Sequence, residues 1–137
     1  IFDVSAAISM ARGQRAYQRI TVVGKSLGTL VIAHLLEANL LDDSFSQILW
    51  LTPVLQDETV IRQMKRFRGR SFMTIGTDDP AYDAQKVSEL RALPGMSVVV
   101  VDRADHGFDV DADVIGSIQA VEQEMHAVAR FFSVQSQ

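Results

Sequence analysis

Cysteine is absent from the 137 residues, which excludes a disulfide scaffold, a thiolate zinc site and a cysteine nucleophile. No apolar run reaches the roughly 18–20 residues needed to cross a bilayer. The longest runs, such as 48–51 and 98–101, have strand length, so no membrane partner is expected. Basic charge is not in excess: 13 Lys and Arg face 17 Asp and Glu, for a net charge of -4, which argues against nucleic acid as a partner. The first residues lack the basic region, apolar core and small-residue cleavage site of a signal peptide, which predicts a cytoplasmic protein. Repeats, low-complexity tracts and linker-like stretches are also missing, so residues 1–137 read as a single domain.

What is present is globular. Hydrophobic residues make up 47% and charged residues 22%, a balance that builds a core rather than a disordered chain. A chain of this length buries roughly two thirds of the surface its unfolded form exposes.

Short β-branched runs alternate with longer helical ones. Asp3 can cap a helix over 3–16, in which Val4, Ala7, Ile8 and Ala11 recur at helical spacing. Residues 20–23 are mostly apolar and run into Gly24, as a strand buried on both faces does. A helix over 27–41 follows, then a strand over 48–52 stopped by Pro53. Val60, Ile61, Met64 and Phe67 share one face of a helix over 57–67. A strand over 71–76, a helix over 84–93 closed by Pro94 and Gly95, and a valine-rich strand over 97–102 come next. A helix over 110–132, irregular in its first turn, ends the pattern. This alternation predicts an α/β fold with a mostly parallel sheet, sequential strand order and helices on both faces. Ligands bind such sheets at the carboxyl ends of the strands.

Those ends carry the chemistry. The first strand runs into Gly24-Lys25-Ser26-Leu27-Gly28, a G-x-S-x-G pattern. A serine on a tight strand-to-helix turn is strained and exposed, and glycine at Gly24 and Gly28 lets strand and helix approach. The helix that follows aims its N-terminus at the serine. A phosphate loop is rejected, because G-x-x-x-x-G-K-[ST] would need glycine where Arg19 stands and would consume the strand itself. The strand over 71–76 leads into Thr77, Asp78, Asp79 and Pro80, where a carboxylate could orient a histidine or merely polarise a turn. The last strand leads into Asp102, Arg103, Ala104, Asp105, His106 and Gly107. A lone loop histidine is ordinarily bland. Serine, acid and histidine after successive strand ends, in that order, are harder to explain as independent turns.

Residues 20–30, ITVVGKSLGTL, resemble the nucleophile elbow of the α/β-hydrolase superfamily. Residues 75–80 resemble its acid loop and 104–108 its histidine loop; VGKSLGT, WLTP and GTxDP are similar to small bacterial α/β-hydrolase-like proteins. The resemblance implies Ser26 as nucleophile, His106 as general base and then acid, and Asp79 as the acid that orients it. Asp78 matches the acid position less well, and Asp83 is a distant third. It also implies the Leu27 backbone N–H as one oxyanion donor, a small-molecule acyl substrate, and no metal or organic cofactor. Lys25, Thr52, Pro53 and Val54 would line the pocket, although Lys25 reads more simply as pointing outward from the turn.

The chain departs from that pattern in extent. A complete member has about eight strands and about 200 residues or more, whereas the elbow strand comes first here and the chain begins at Ile1. The expectation is therefore the C-terminal half of an α/β-hydrolase fold. Without preceding strands, the mostly apolar run Ile20, Thr21, Val22 and Val23 would form a bare edge. The N-terminal half of the fold, or a second copy of the chain, is expected to cover it and to supply the second oxyanion donor.

Other conspicuous residues have plainer readings. His34 and His126 lie on helices, the second beside Glu122 and Arg130. Trp50 sits mid-strand and belongs to the core. Arg62, Lys65, Arg66, Arg68 and Arg70 read as a solvated face. The leading function is a serine hydrolase acting on an ester, thioester or related acyl bond. The alternatives are a non-catalytic binding or assembly module of the same fold, and a flavodoxin-like domain, which would need a phosphate loop.

Overall fold

The computed structural model describes residues 2–42 and 46–133. Its elements are α1 (Phe2–Gln14), β1 (Ile20–Lys25), α2 (Leu27–Glu37), β2 (Ser46–Leu51), α3 (Glu58–Arg66), β3 (Ser71–Gly76), α4 (Ala84–Arg91), β4 (Met96–Val101) and α5 (Val114–Ser133). The strands form a 4-stranded sheet in the order β1-β2-β3-β4, and each neighbouring pair is parallel.

Register sorts the side chains onto two faces. Val22 lies opposite Ile48, and Trp50 opposite Met73, which in turn faces Val98. These residues pack with Ile32, Leu35, Val60, Met64, Val87 and Leu90 from α2, α3 and α4 into the main core. Leu49 and Phe72, which are also paired, point the other way and meet Ala127 and Phe131 of α5. Trp50 is fully buried, as its mid-strand position predicts.

The element ends differ from the sequence reading by a few residues, each for a local reason. The β1 ladder continues through Gly24 opposite Trp50 and Lys25 opposite Leu51, so the strand reaches the nucleophile candidate itself. Helix α2 stops at Glu37 rather than residue 41, because Asn39 takes a left-handed φ of 55° and Leu40 N–H turns back to the Leu35 carbonyl at 2.9 Å. Helix α5 starts at Val114 rather than residue 110. Asp113 caps it through Gly116 N–H at 2.7 Å, and Ser117 Oγ accepts from Val110 N–H at 2.9 Å. Asp57 and Asp83 cap α3 and α4 in the same way.

The histidines on helices have ordinary partners: His34 lies 3.4 Å from Glu37, and His126 lies 3.5 Å from Glu122. In the basic run, Arg62 pairs with Glu37, Lys65 pairs with Glu89, and Arg70 covers the Phe131 ring.

Two surfaces stay bare. Among the described residues β1 is bonded on one side only, and Val23, on the α5 face, is 55% exposed. On α5, Val114, Ile118, Val121, Met125 and Phe132 are exposed at helical spacing, forming an apolar row. Among the described residues no helix is long and apolar enough to cross a membrane.

Candidate active site

The site lies at the carboxyl end of the sheet and begins with backbone geometry. Ser26 follows β1 directly with φ 53° and ψ -121°, a conformation that L-residues adopt only under constraint. Three bonds hold it there. Ser26 N–H donates to the Leu51 carbonyl at 3.0 Å, Thr29 N–H returns to the Ser26 carbonyl at 2.9 Å, and Thr29 Oγ1 donates to that same carbonyl at 2.6 Å. Ser26 makes no side-chain cap bond to α2, so its hydroxyl is not engaged in capping the start of the helix.

Gly24 earns its place by contact: a Cβ there would lie 2.6 Å from Ile32 Cδ1 and 2.8 Å from the Gly28 carbonyl oxygen. Gly28 differs from the sequence reading, because a Cβ at that position would meet open space. Only one of the two elbow glycines is required by close approach in this chain.

The acid and histidine loops are built against each other. A Cβ on Gly76 would collide with the Ala104 carbonyl oxygen, so the end of β3 can pass the loop after β4 only as glycine. Thr77 N–H donates to Val101, Asp78 N–H to Ala104, and Arg103 N–H to Thr77 Oγ1 at 2.7 Å. Asp105 closes the histidine loop: its Oδ1 accepts from Gly107 N–H at 2.7 Å and Asp109 N–H at 2.9 Å. Phe108, buried with a left-handed φ of 68°, anchors the loop from below.

Within this frame Nδ1 of His106 lies 2.8 Å from Oδ2 of Asp79. The Asp79 side chain is 1% exposed, and its other oxygen accepts from Ala81 N–H at 2.7 Å. An ionised carboxylate can only accept, so the pair puts a proton on Nδ1 and leaves Nε2 as the basic nitrogen. The imidazole is 42% exposed and open to a substrate. Asp78 is exposed and accepts from the Thr77 hydroxyl at 3.3 Å, and Asp83 caps α4.

The second strand end adds Thr52, buried with φ 43°, followed by Pro53 and Val54. Val54 N–H donates to Thr29 Oγ1 at 3.3 Å, which ties this loop to the elbow. Lys25 does not simply point outward. Its Nζ donates to the His106 carbonyl at 2.9 Å and to Thr52 Oγ1 at 3.4 Å. Glu124 of α5 is buried: burial pushes this carboxyl up, and the charge of Lys25 pulls it back down. Sequence reasoning missed Thr29, Asp105, Gly76 and Glu124. Asp105-His106-Gly107 does carry a turn signal, an Asp able to bond its own backbone two residues on.

A cleft of about 530 Å³ opens beside these loops, with Asp78, Arg103, Asp105, Asp109 and Asp113 among its lining residues. A cleft of about 430 Å³ lies at the opposite end of the sheet, between the start of β4 and the end of α5, away from the chemistry. Among the described residues no cluster of His, Cys, Asp and Glu has the makings of a metal site.

No family model and no curated protein matches the chain. Solved structures do. An α/β serine hydrolase homologue from Coxiella burnetii superposes with a TM-score of 0.67 at 15% identity, over 93% of this chain and 56% of its own. The esterase Pf2001 from Pyrococcus furiosus gives 0.67 at 17% identity, over 96% and 60%. This chain has the fold of the α/β hydrolases. It spans a little over half the length of these two neighbours. A bromoperoxidase from Bacillus anthracis, with a TM-score of 0.61 at 11% identity over 94% and 72%, shares the fold too, so the fold alone does not name the reaction.

Proposed function

We propose that the protein is a serine hydrolase that cleaves an ester, thioester or related acyl bond, with Ser26 as nucleophile, His106 as base and Asp79 as its orienting acid. The observation that carries this reading is the 2.8 Å pair between His106 and the buried Asp79, in a loop that Lys25, the residue before Ser26, bonds to directly. Ser26 Oγ attacks the acyl carbonyl while His106 Nε2 takes its proton. The Leu27 N–H, at the start of α2, stabilises the oxyanion. Collapse expels the leaving group, which receives the proton from His106, and water then releases the acyl group by the same path in reverse.

The chain acts, on this reading, as the C-terminal half of an α/β-hydrolase domain. The one-sided β1, the exposed Val23 and the apolar row on α5 support a second polypeptide segment, either the N-terminal half or another copy, seated over that side of the sheet. A second oxyanion donor would come from it. The same bare surfaces favour the other reading, a non-catalytic assembly module.

A fluorophosphonate probe separates the two. Labelling of the wild type, lost in Ser26→Ala and His106→Ala, is the expected result. A chain that stays unlabelled in the presence of its covering segment, while correctly folded, would sink the hydrolase reading.

A further inference from the structure

Lys25 occupies the variable position before the nucleophile, where nothing in the proposed reaction requires a cation. Register places it opposite Leu51, on the sheet face that packs against α5. From there its Nζ reaches the carbonyl of His106, 81 residues away in sequence, at 2.9 Å. The same nitrogen lies 3.4 Å from Thr52 Oγ1. One ammonium thus touches the loops after β2 and β4 while standing on β1.

We propose that Lys25 is a positioning residue that fixes the histidine loop against the nucleophile elbow, so that the base keeps its place relative to Ser26. The inference rests on the reading of Ser26 and His106 as nucleophile and base. Asp79 sets the tilt of the imidazole through Nδ1, and the bonds from Asp78 and Arg103 hold the histidine loop to the acid loop, but none of these three reaches the elbow. The bond to the His106 carbonyl ties that loop to the end of β1, and a charge-assisted bond is stronger than a neutral one. The side chain comes from the residue adjoining the nucleophile, so any shift of the elbow carries the base with it.

The test compares Lys25→Met and Lys25→Arg with the wild-type protein in its longest soluble form, and Lys65→Met serves as a control because its partner Glu89 is exposed and remote. Two readouts are needed. The first is the maximal rate of fluorophosphonate labelling, separated from the probe concentration that gives half that rate. The second is hydrogen exchange at the Asp105, Gly107 and Asp109 amides, which close the histidine loop. Lys25→Met is expected to slow maximal labelling about tenfold, the loss of one well-placed bond in the transition state. Half-saturation should hold and the three amides should exchange faster, while Lys25→Arg recovers most of both. Unchanged exchange in Lys25→Met overturns the proposal, whatever the labelling does. Faster exchange with undiminished labelling overturns it as well, since the tether would then not serve the chemistry. A wild type that never labels instead overturns the proposed reaction, and the exchange arm, which needs no reaction, tells the two failures apart.

Discussion

His106 Nδ1 and Asp79 Oδ2 stand 2.8 Å apart, joined by side chains from the ends of two adjacent parallel strands. Only one partner is exposed: the imidazole is open to solvent and the carboxylate is sealed beneath it. A carboxylate in that position cannot be replaced by water, so the tautomer of the histidine depends on Asp79 alone.

Asp79→Asn is therefore expected to abolish nearly all turnover, by on the order of 10⁴-fold, because an amide can present its donor to Nδ1 and hold the wrong tautomer. Asp78→Asn should remain within a few-fold of wild type, and Asp83→Ala should lower stability by about 1 kcal/mol through loss of a helix cap. Steady-state kinetics and urea melts on the three variants check this. Equal loss in Asp78→Asn would refute the choice of acid.

Activity is expected to fall on acidification, since an imidazolium has no lone pair to accept the serine proton. A rate profile over about pH 5 to 8, at high and low acyl substrate, tests it. A flat profile under both conditions would remove His106 as base.

Burial raises the Glu124 carboxyl above the ordinary glutamate range. The native state thus holds a proton that the unfolded chain has released. Stability should decline as pH rises from the ordinary glutamate value through the raised one, and it should be restored on going back down. Glu124→Gln should flatten that part of the curve. Thermal melts of both proteins across the acid range decide, and an unchanged slope in Glu124→Gln contradicts the assignment.

Gly76→Ala is expected to cost about 3 kcal/mol or more, because the added methyl meets the backbone carbonyl of Ala104, which cannot move aside as a side chain could. Gly28→Ala, with open space at the same atom, should be nearly silent. Urea midpoints for the pair give a direct contrast, and equal midpoints would show that the two loops are not packed as described.

The apolar row on α5 and the free edge of β1 should make the isolated chain associate as concentration rises. Ile118→Glu with Met125→Glu is expected to reduce that association in light scattering without a loss of helix content. Persistence of the same association would place the sticky surface elsewhere.

The strand and helix order was legible from residue periodicity alone. The short β-branched runs at 20–23 and 98–101, each bounded by turn residues, favour strands, and the spaced Val60, Ile61, Met64 and Phe67 favour a helix. Short crossovers then leave sequential order as the simplest topology, and the sheet has it. Glycine, serine, aspartate and histidine stood out because the turns that hold them follow strands, and turn chemistry is local.

What the linear text could not carry is contact between distant backbones. Nothing near Gly76 says that Ala104 will press against it, and nothing near Lys25 says that its ammonium will end on the carbonyl of His106. Glu124 reads as one more polar residue on a surface helix until α5 is laid across the sheet and buries it. Local propensity and hydrophobic period act over a few residues, so the sequence by itself determined the elements, their order and the residue types at the strand ends. Which side chains meet depends on strand register and on how helices seat against the sheet. Those are set by the packing of the whole core at once, and only the tertiary structure decided them.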